Sequence, residues 1–540
     1  MYRIYFLLFA LFMGITPARA QAPKIEKSAA FDEPGMGWNK VLQLKNGNTF
    51  YFHFTKKDGI EVNVFDKGRK LSSTQTITSD LWDAKKMRGT AILGLYEINN
   101  EPVLFMAQAD GRVPTLYRLR FDGNTGKIVK EEEIGSLPKV KLVTFGPNDN
   151  NIFVEKDPQS DCYAIIFFNS YAEDRDERIK VIHYDGNHKV INLAYYDSPD
   201  DSYKYLRFIG AVVDGNKRVF LCSYGSANLK GRDAHVYISR LNATDSVWTN
   251  KALDFTEDFK ETRSVMAYSH ATNTIRLLTL SFAKGKVNFF GTGAMGLYLS
   301  FLSYIDPETL MLKKVAPIVG QKINDYAHDN LNTKLDYRGL PQAMVINKDN
   351  STTILSENQE QQITVDQNGN IVSAVTILGT IGVNEINEDG TEKSGYAIQK
   401  LQAAAGLFDP LYMADRNKGR WSFQNGAADY NSYLSYDYIS TDKNRYVIFN
   451  DNPKNFDKDE DQRTRKVVVN INKLNTILYN LNSNTVNKSY LFGDPESKDQ
   501  SNSCHIEASD FQRATNTYAT IMVERDGHDR QAKMVWLTFE

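Results

Sequence analysis

The chain is poor in cysteine, with three in 540 residues: Cys162, Cys222 and Cys504. That number excludes a disulfide scaffold. Cys162 and Cys222 lie in apolar runs, "DCYAIIFF" and "RVFLCSYG", and read as buried free thiols. One disulfide with one spare thiol is the other arrangement open in an oxidising compartment. A charge excess is missing too. Sixty-four Lys and Arg stand against 66 Asp and Glu, a net charge of −2. This gives no electrostatic reason to expect nucleic acid or an anionic membrane as partner. Histidine is scarce, at eight residues, and no two have zinc-ligand spacing with a third ligand nearby. Neither a G-x-S-x-G elbow nor an H-E-x-x-H pair occurs. No metal and no cofactor are expected.

Long apolar runs are missing beyond the first twenty residues, so no transmembrane segment is expected. Those twenty read as a secretory signal peptide: "MYR" supplies a positive start, "IYFLLFALFMGI" an apolar centre of twelve residues, and "TPARA" a small-residue finish. Ala18-Arg19-Ala20 fits a cleavage site before Gln21, with Ala20-Gln21-Ala22 as a second choice. No Cys follows, so a lipoprotein anchor is not indicated. Removing Arg3 and Arg19 leaves 62 basic and 66 acidic residues, a charge of −4. The expected location is secreted or periplasmic.

Helical periodicity is nearly absent. What is present is one turn form, repeated: an apolar strand, an Asp or Asn, a short polar reversal and a second strand. It occurs at Asp66, Asp122, Asp185, Asn242, Asp306, Asp366 and Asn482, at intervals of 56, 63, 57, 64, 60 and 116 residues. Asp and Asn bond back to the turn backbone, and Gly or Asn accept positive φ, so the chain reverses there at low cost. Two more strand-like runs precede each reversal, as in "KVLQL" and "TFYFHF", then "AILGLYEI" and "PVLFMAQ". Four strands per unit of about 60 residues matches a β-propeller blade. The last interval is close to twice 58, which hides either an insertion or an unrecognised repeat. After "SCHIEASDF" and "TYATIMVER" the sequence ends on "AKMVWLTFE", 58 residues past Asn482. That final unit has three strands, and residues around "KSAAFDE" are expected to supply the fourth and remove the open edges. The expectation is an all-β fold, a single propeller domain over 21–540, with eight blades and seven as the rival count.

Several features have bland readings. "VNFFGTGAMGLYLSFL" contains Gly291, Gly293 and Gly296 at dinucleotide-fingerprint spacing. The strand-like "LYLSFLSYID" follows instead of a helix, which makes them turn glycines. Asp457, Asp459 and Asp461 have alternate spacing, but Gln462 and Val468 occupy positions where a calcium loop needs Gly and Glu. A solvated loop accounts for them. His183 and His188 flank the turn at Asp185 and are expected to face solvent. His270, His328 and His505 lie near the starts of first strands, from which a side chain can approach a central channel. Asn242, Asn350 and Asn487 fit glycosylation sequons.

One unit departs from the pattern. Residues 379–432 read as an insertion with a short helix, capped by Ser394 and carrying Ile398, Leu401 and Ala405 on one face. Long insertions between strands often carry function. Phe408, Tyr412 and Trp421 are the candidate partner-binding residues, against the alternative that the insertion only covers one end of the ring.

The signal peptide, the composition and the repeated turns together make the chain resemble uncharacterised secreted propeller-like proteins of Bacteroidota. The resemblance carries no catalytic residues across. "DGNTGKIV", from Asp122 to Val129, is also similar to the blade repeat of eight-bladed quinoprotein dehydrogenases. That pattern expects a recurring Thr-Gly and a docking Trp, whereas Thr-Gly occurs here in one unit and Lys130 stands at the Trp position. The expected function is a monomeric, non-enzymatic propeller binding a protein, peptide or glycan at one face. The alternative is a polysaccharide-acting hydrolase or lyase with its site at the channel mouth, and a quinone-dependent oxidoreductase comes third.

Overall fold

The computed structural model describes residues 22–139, 151–169, 177–196, 203, 205–227, 234–253, 262–282, 298–367, 371–422, 429–458, 464–481, 487–495, 497, 500–527 and 529–540. Within them the protein is all-β. Its strands form eight antiparallel sheets, numbered here in chain order from the first strand of each: Trp38–Gln43, Thr90–Ile98, Asn151–Lys156, Tyr205–Asp214, Thr262–Ser269, Leu340–Ile346, Asp437–Ser440 and Gln500–Cys504. In sheets one to seven, four successive strands pair in sequence order.

Sheet eight takes its fourth strand from the other end of the chain. Lys24–Lys27 pairs antiparallel with the last strand, from Lys24 opposite Thr538 to Lys27 opposite Val535. Phe31 and Ala532 add an isolated bridge beyond it. The completing strand thus lies just ahead of the segment the sequence pointed to.

The turns work as their chemistry predicts. The Asp185 carboxylate accepts from the backbone N–H of Asn187 and Lys189, both at 2.8 Å. Asp306 accepts from Glu308 and Thr309 N–H at 2.9 Å each. These bonds and Lys313 hold the Asp306 carboxyl down at about 2, because each of them favours the charged form.

Strands here are buried on both faces, which explains why so many read as unbroken apolar runs. In Tyr163–Phe168, Ile165 and Phe167 pack toward sheet two, while Ala164, Ile166 and Phe168 pack toward sheet four. Sheet five repeats this: Ile275 and Leu277 face sheet four, and Leu278 and Leu280 face sheet six. Eight apolar clusters result, one between each consecutive pair of sheets. Sheet eight packs both on sheet seven, through Tyr518 and Leu537, and on sheet one, through Trp536. All three cysteines are buried and free, as read for Cys162 and Cys222.

Sheet six departs from expectation. The reversal at Asp366 joins its second and third strands, Thr352–Val365 and Ile371–Ile386, which are unusually long. The third-to-fourth reversal lies at Asn387, where Gly390 has φ of 80° and Asp389 accepts from Thr391 N–H at 2.9 Å. Both sites carry an Asp or Asn followed by a Gly-containing polar stretch, "DQNGN" and "NEDGT", so the local sequence does not decide between them. The helix read from Ser394 is also replaced. Glu392–Ile398 is the fourth strand, and Gln402–Ala405 pairs with Val375–Leu378.

A helix the periodicity did not reveal, Gln321–Asn330, precedes sheet six and buries only Ile323, Asn324 and Ala327. Glu392 caps it, accepting from Gly320 N–H at 2.7 Å and Lys322 N–H at 2.8 Å. No described helix is long and apolar enough to cross a membrane.

Candidate functional site

After Ala405 the chain leaves sheet six and passes along the first strands of several sheets. Leu411 N–H donates to Pro341 O of sheet six at 3.0 Å. A six-residue helix follows, Tyr412–Asn417, from which Arg416 reaches Asp437 of sheet seven at 2.5 Å. Lys418 and Arg420 both clasp Glu155 of sheet three at 2.7 Å. Trp421–Ser422 then pairs with Ala91 and Ile92 of sheet two. The segment is therefore tied to four sheets, and the ties are ionic or backbone bonds because polar groups taken from water must be paired. Glu155 is nevertheless held below the usual carboxylate range: burial pushes it up, and its two cations outweigh that.

Two cavities lie beside this segment. The larger, about 430 Å³, is lined by Glu33, Asn39, Trp421, Tyr433, His505, Glu507 and Arg530, with Met36, Met87 and Ile471 among its apolar walls. The smaller, about 170 Å³, is lined by Phe408, Tyr412, Arg416, Arg420, Trp421, Asn431 and Glu507. Trp421 and Glu507 border both. The three aromatic residues singled out in the sequence thus come together at the smaller cavity, with Phe408 edge-on to Tyr412 at 5.0 Å. Tyr412 donates to Glu357 at 3.0 Å.

Buried polar groups build the larger cavity. Tyr433 donates to Glu33 Oε1 at 2.5 Å, and Arg525 reaches the same oxygen at 2.7 Å. Arg530 lies 3.9 Å from Glu33 Oε2. The His505 ring sits on Tyr433 with centroids 4.2 Å apart, its Nε2 2.7 Å from the Tyr433 hydroxyl. Burial, reinforced by Arg525, lowers His505 to about 3, so this imidazole is neutral at ordinary pH.

Glu507 is different. Among the described residues its carboxyl accepts no hydrogen bond; its backbone N–H donates to Ser432 O at 3.0 Å. Burial raises its pKa, and the Arg416 and Lys40 charges only partly offset the rise. Lys40 itself is pinned by Ser509 O at 2.6 Å. The larger cavity therefore presents one carboxylate fixed by arginine and one carboxyl group biased toward its protonated form.

Other sequence candidates lie elsewhere. His183 is buried, with Nε2 2.9 Å from Gly215 O, and His188 is half-buried with Nδ1 2.9 Å from the Tyr163 hydroxyl. The expectation that they face solvent is corrected: His183 is held against a turn of sheet four and His188 against the Tyr163 hydroxyl. His270 stands 3.4 Å from Asp157 and 3.5 Å from Asp214, and His328 lies near Asp336 at 3.6 Å; neither lines a cavity named above. His505 alone of those three reaches one. Gly291, Gly293, Gly296, Asp459 and Asp461 fall outside the described residues, as do residues 1–20. No group of three or more metal-binding side chains occurs among the described residues.

Glu33, Tyr433 and Glu507 were missed because no local pattern marks them. Glu33 and Glu507 are 474 positions apart in the chain, and only the folded arrangement brings them to one cavity.

No protein-family model matches the chain, and no curated protein matches it. Among solved structures it is similar to the polysaccharide lyase Uly1, at 10% identity and a TM-score of 0.37, covering 94% of this chain and 100% of that one. A prolyl endopeptidase structure matches at 8% identity and a TM-score of 0.33, over 76% of this chain and 54% of that one. An uncharacterized protein of Listeria monocytogenes EGD-e matches at 9% identity and a TM-score of 0.35, over 70% and 87%.

Proposed function

We propose that this protein is a secreted or periplasmic eight-bladed β-propeller, of the kind common in Bacteroidota, which binds a glycan chain across the two cavities. Each sheet is then one blade, the strand Lys24–Lys27 closes the ring, and the segment from Gly406 to Ser422 occupies its centre. The observation that carries the binding reading is the sharing of Trp421 and Glu507 by the two cavities. A ligand long enough to enter both must pass an aromatic ring and a carboxyl group in mid-length. Sugar rings suit such a passage, since each offers a C–H face for an aromatic side chain and several hydroxyls for polar ones. Asn39, Asn431, Arg420 and Arg530 supply donors on either side. The larger cavity falls in the size range of small-molecule sites.

Affinity electrophoresis in gels containing xylan, laminarin, starch or polygalacturonate tests this. The wild type is expected to be retarded in at least one gel. Trp421→Ala should lose at least about tenfold in affinity, given roughly 1.5 kcal/mol or more for a lost aromatic contact. Unretarded wild type in all four gels, or undiminished retardation of Trp421→Ala, would refute the reading.

A further inference from the structure

The two carboxyl groups facing the larger cavity are held in opposite ways, and that difference goes further than binding. Glu33 Oε1 is taken by Tyr433 and Arg525, while Oε2 lies near Arg530 at a distance too long for a hydrogen bond. Glu33 thus has one oxygen held by Tyr433 and Arg525 and a second without a hydrogen bond among the described residues. Glu507 lines both cavities, with its carboxyl unengaged among the described residues. We infer that the protein hydrolyses a glycosidic bond where its ligand crosses from one cavity to the other, Glu507 giving a proton to the bridging oxygen and Glu33 taking one from the attacking water. The inference rests on the glycan reading above and adds a reaction to it.

The step balances. The Glu507 proton moves to the glycosidic oxygen as the bond from that oxygen to the anomeric carbon breaks, with the electron pair leaving on oxygen. Water adds to the anomeric carbon and passes one proton to Glu33 Oε2. Both carboxyl groups then return to their starting forms by exchange with solvent. A carboxylate suffices as the base, because water becomes strongly acidic as its oxygen bonds to a cationic carbon. An acid must hold its proton until the bond breaks, and burial of Glu507 favours that form. Carboxyl groups in unlike surroundings divide the acid and base roles between them.

The experiment uses the full chain on whichever of the four polysaccharides retards the wild type, following reducing ends, absorbance near 235 nm and gel retardation together. Expected are new reducing ends without ultraviolet absorbance. Glu507→Gln should keep the far-ultraviolet circular dichroism of the wild type and lose reducing-end release by roughly 100-fold or more. Glu507→Asp should retain partial activity with a shifted alkaline limb, which a variant that merely misfolds cannot do. Retardation of the wild type without any release overturns the catalytic inference while leaving the binding reading intact. Release accompanied by absorbance near 235 nm indicates elimination and overturns it as well, as does full activity of Glu507→Gln. Absence of retardation refutes the binding reading itself.

Discussion

Lys400 and Glu357 form an ion pair at 2.5 Å with neither side chain exposed to solvent. Lys400 also donates to Leu378 O at 3.3 Å and Gln402 Oε1 at 3.0 Å, and Glu357 Oε2 receives the Tyr412 hydroxyl at 3.0 Å. The pair therefore anchors the root of the segment that carries the smaller cavity. Breaking a buried pair from one side leaves an uncompensated charge and costs about 3–5 kcal/mol. Glu357→Gln and Lys400→Met should each fall in that range. Tyr412→Phe, which removes the hydroxyl's bonds to Glu357 and Ser435 but leaves both charges in place, should cost about 1–2 kcal/mol.

The double variant Glu357→Leu with Lys400→Met removes both charges and should lie within about 1–2 kcal/mol of wild type, since apolar replacement of a whole pair is often neutral. Urea unfolding followed by far-ultraviolet circular dichroism measures all four. For a slope near 3 kcal/mol/M the single variants lose about 1 M in midpoint. A pH signature accompanies this. Burial already lowers the Lys400 pKa and Glu357 raises it again, so removing the carboxylate lowers it further. The unfolded chain then binds the extra proton over a wider range below its ordinary value, and stability rises with pH there. The deficit of Glu357→Gln should shrink toward pH 10. Single variants costing under 1 kcal/mol, or a double variant as unstable as their sum, would refute the reasoning.

Two further outcomes follow from the same structure. His505 is lowered to about 3 from an ordinary value of 6.5, so the unfolded state binds more protons between those limits and stability falls as pH drops from 6.5 to 3. The loss attributable to this ring is roughly 5 kcal/mol at most; His505→Gln should flatten the acid limb of a denaturation midpoint plotted against pH, and an unchanged limb counts against the burial argument. A Cβ on Gly395 would lie 2.4 Å from Ile323 N and from Lys322 C, backbone atoms that cannot swing aside. Gly395→Ala should push the helix Gln321–Asn330 off its strand and cost at least about 2 kcal/mol, read by denaturation and by faster exchange of the helix amides; wild-type stability would contradict the contact.

How far the chain describes itself is clearest in sheet six and in the cavities. Turn chemistry is local: an Asp that accepts two following N–H groups does so whatever the rest of the molecule does. Hence the reversals at Asp66, Asp122, Asp185 and Asp306, and with them the strand-rich architecture, could be read directly. The same locality produced the error at Asp366, because "DQNGN" and "NEDGT" are alike as sequences and the difference lies in which strands pair around them. Phe408, Tyr412 and Trp421 could be picked out as large aromatics in an irregular stretch, but nothing in the sequence said that they share a cavity with Glu507. That depends on tertiary packing, in which sheet eight lies against sheet one and Glu33 from one end of the chain meets Tyr433 and Arg525 near the other. Short-range hydrogen bonding belongs to the sequence alone, whereas the charge on a carboxyl group depends on neighbours that only the packed sheets bring within a few ångströms.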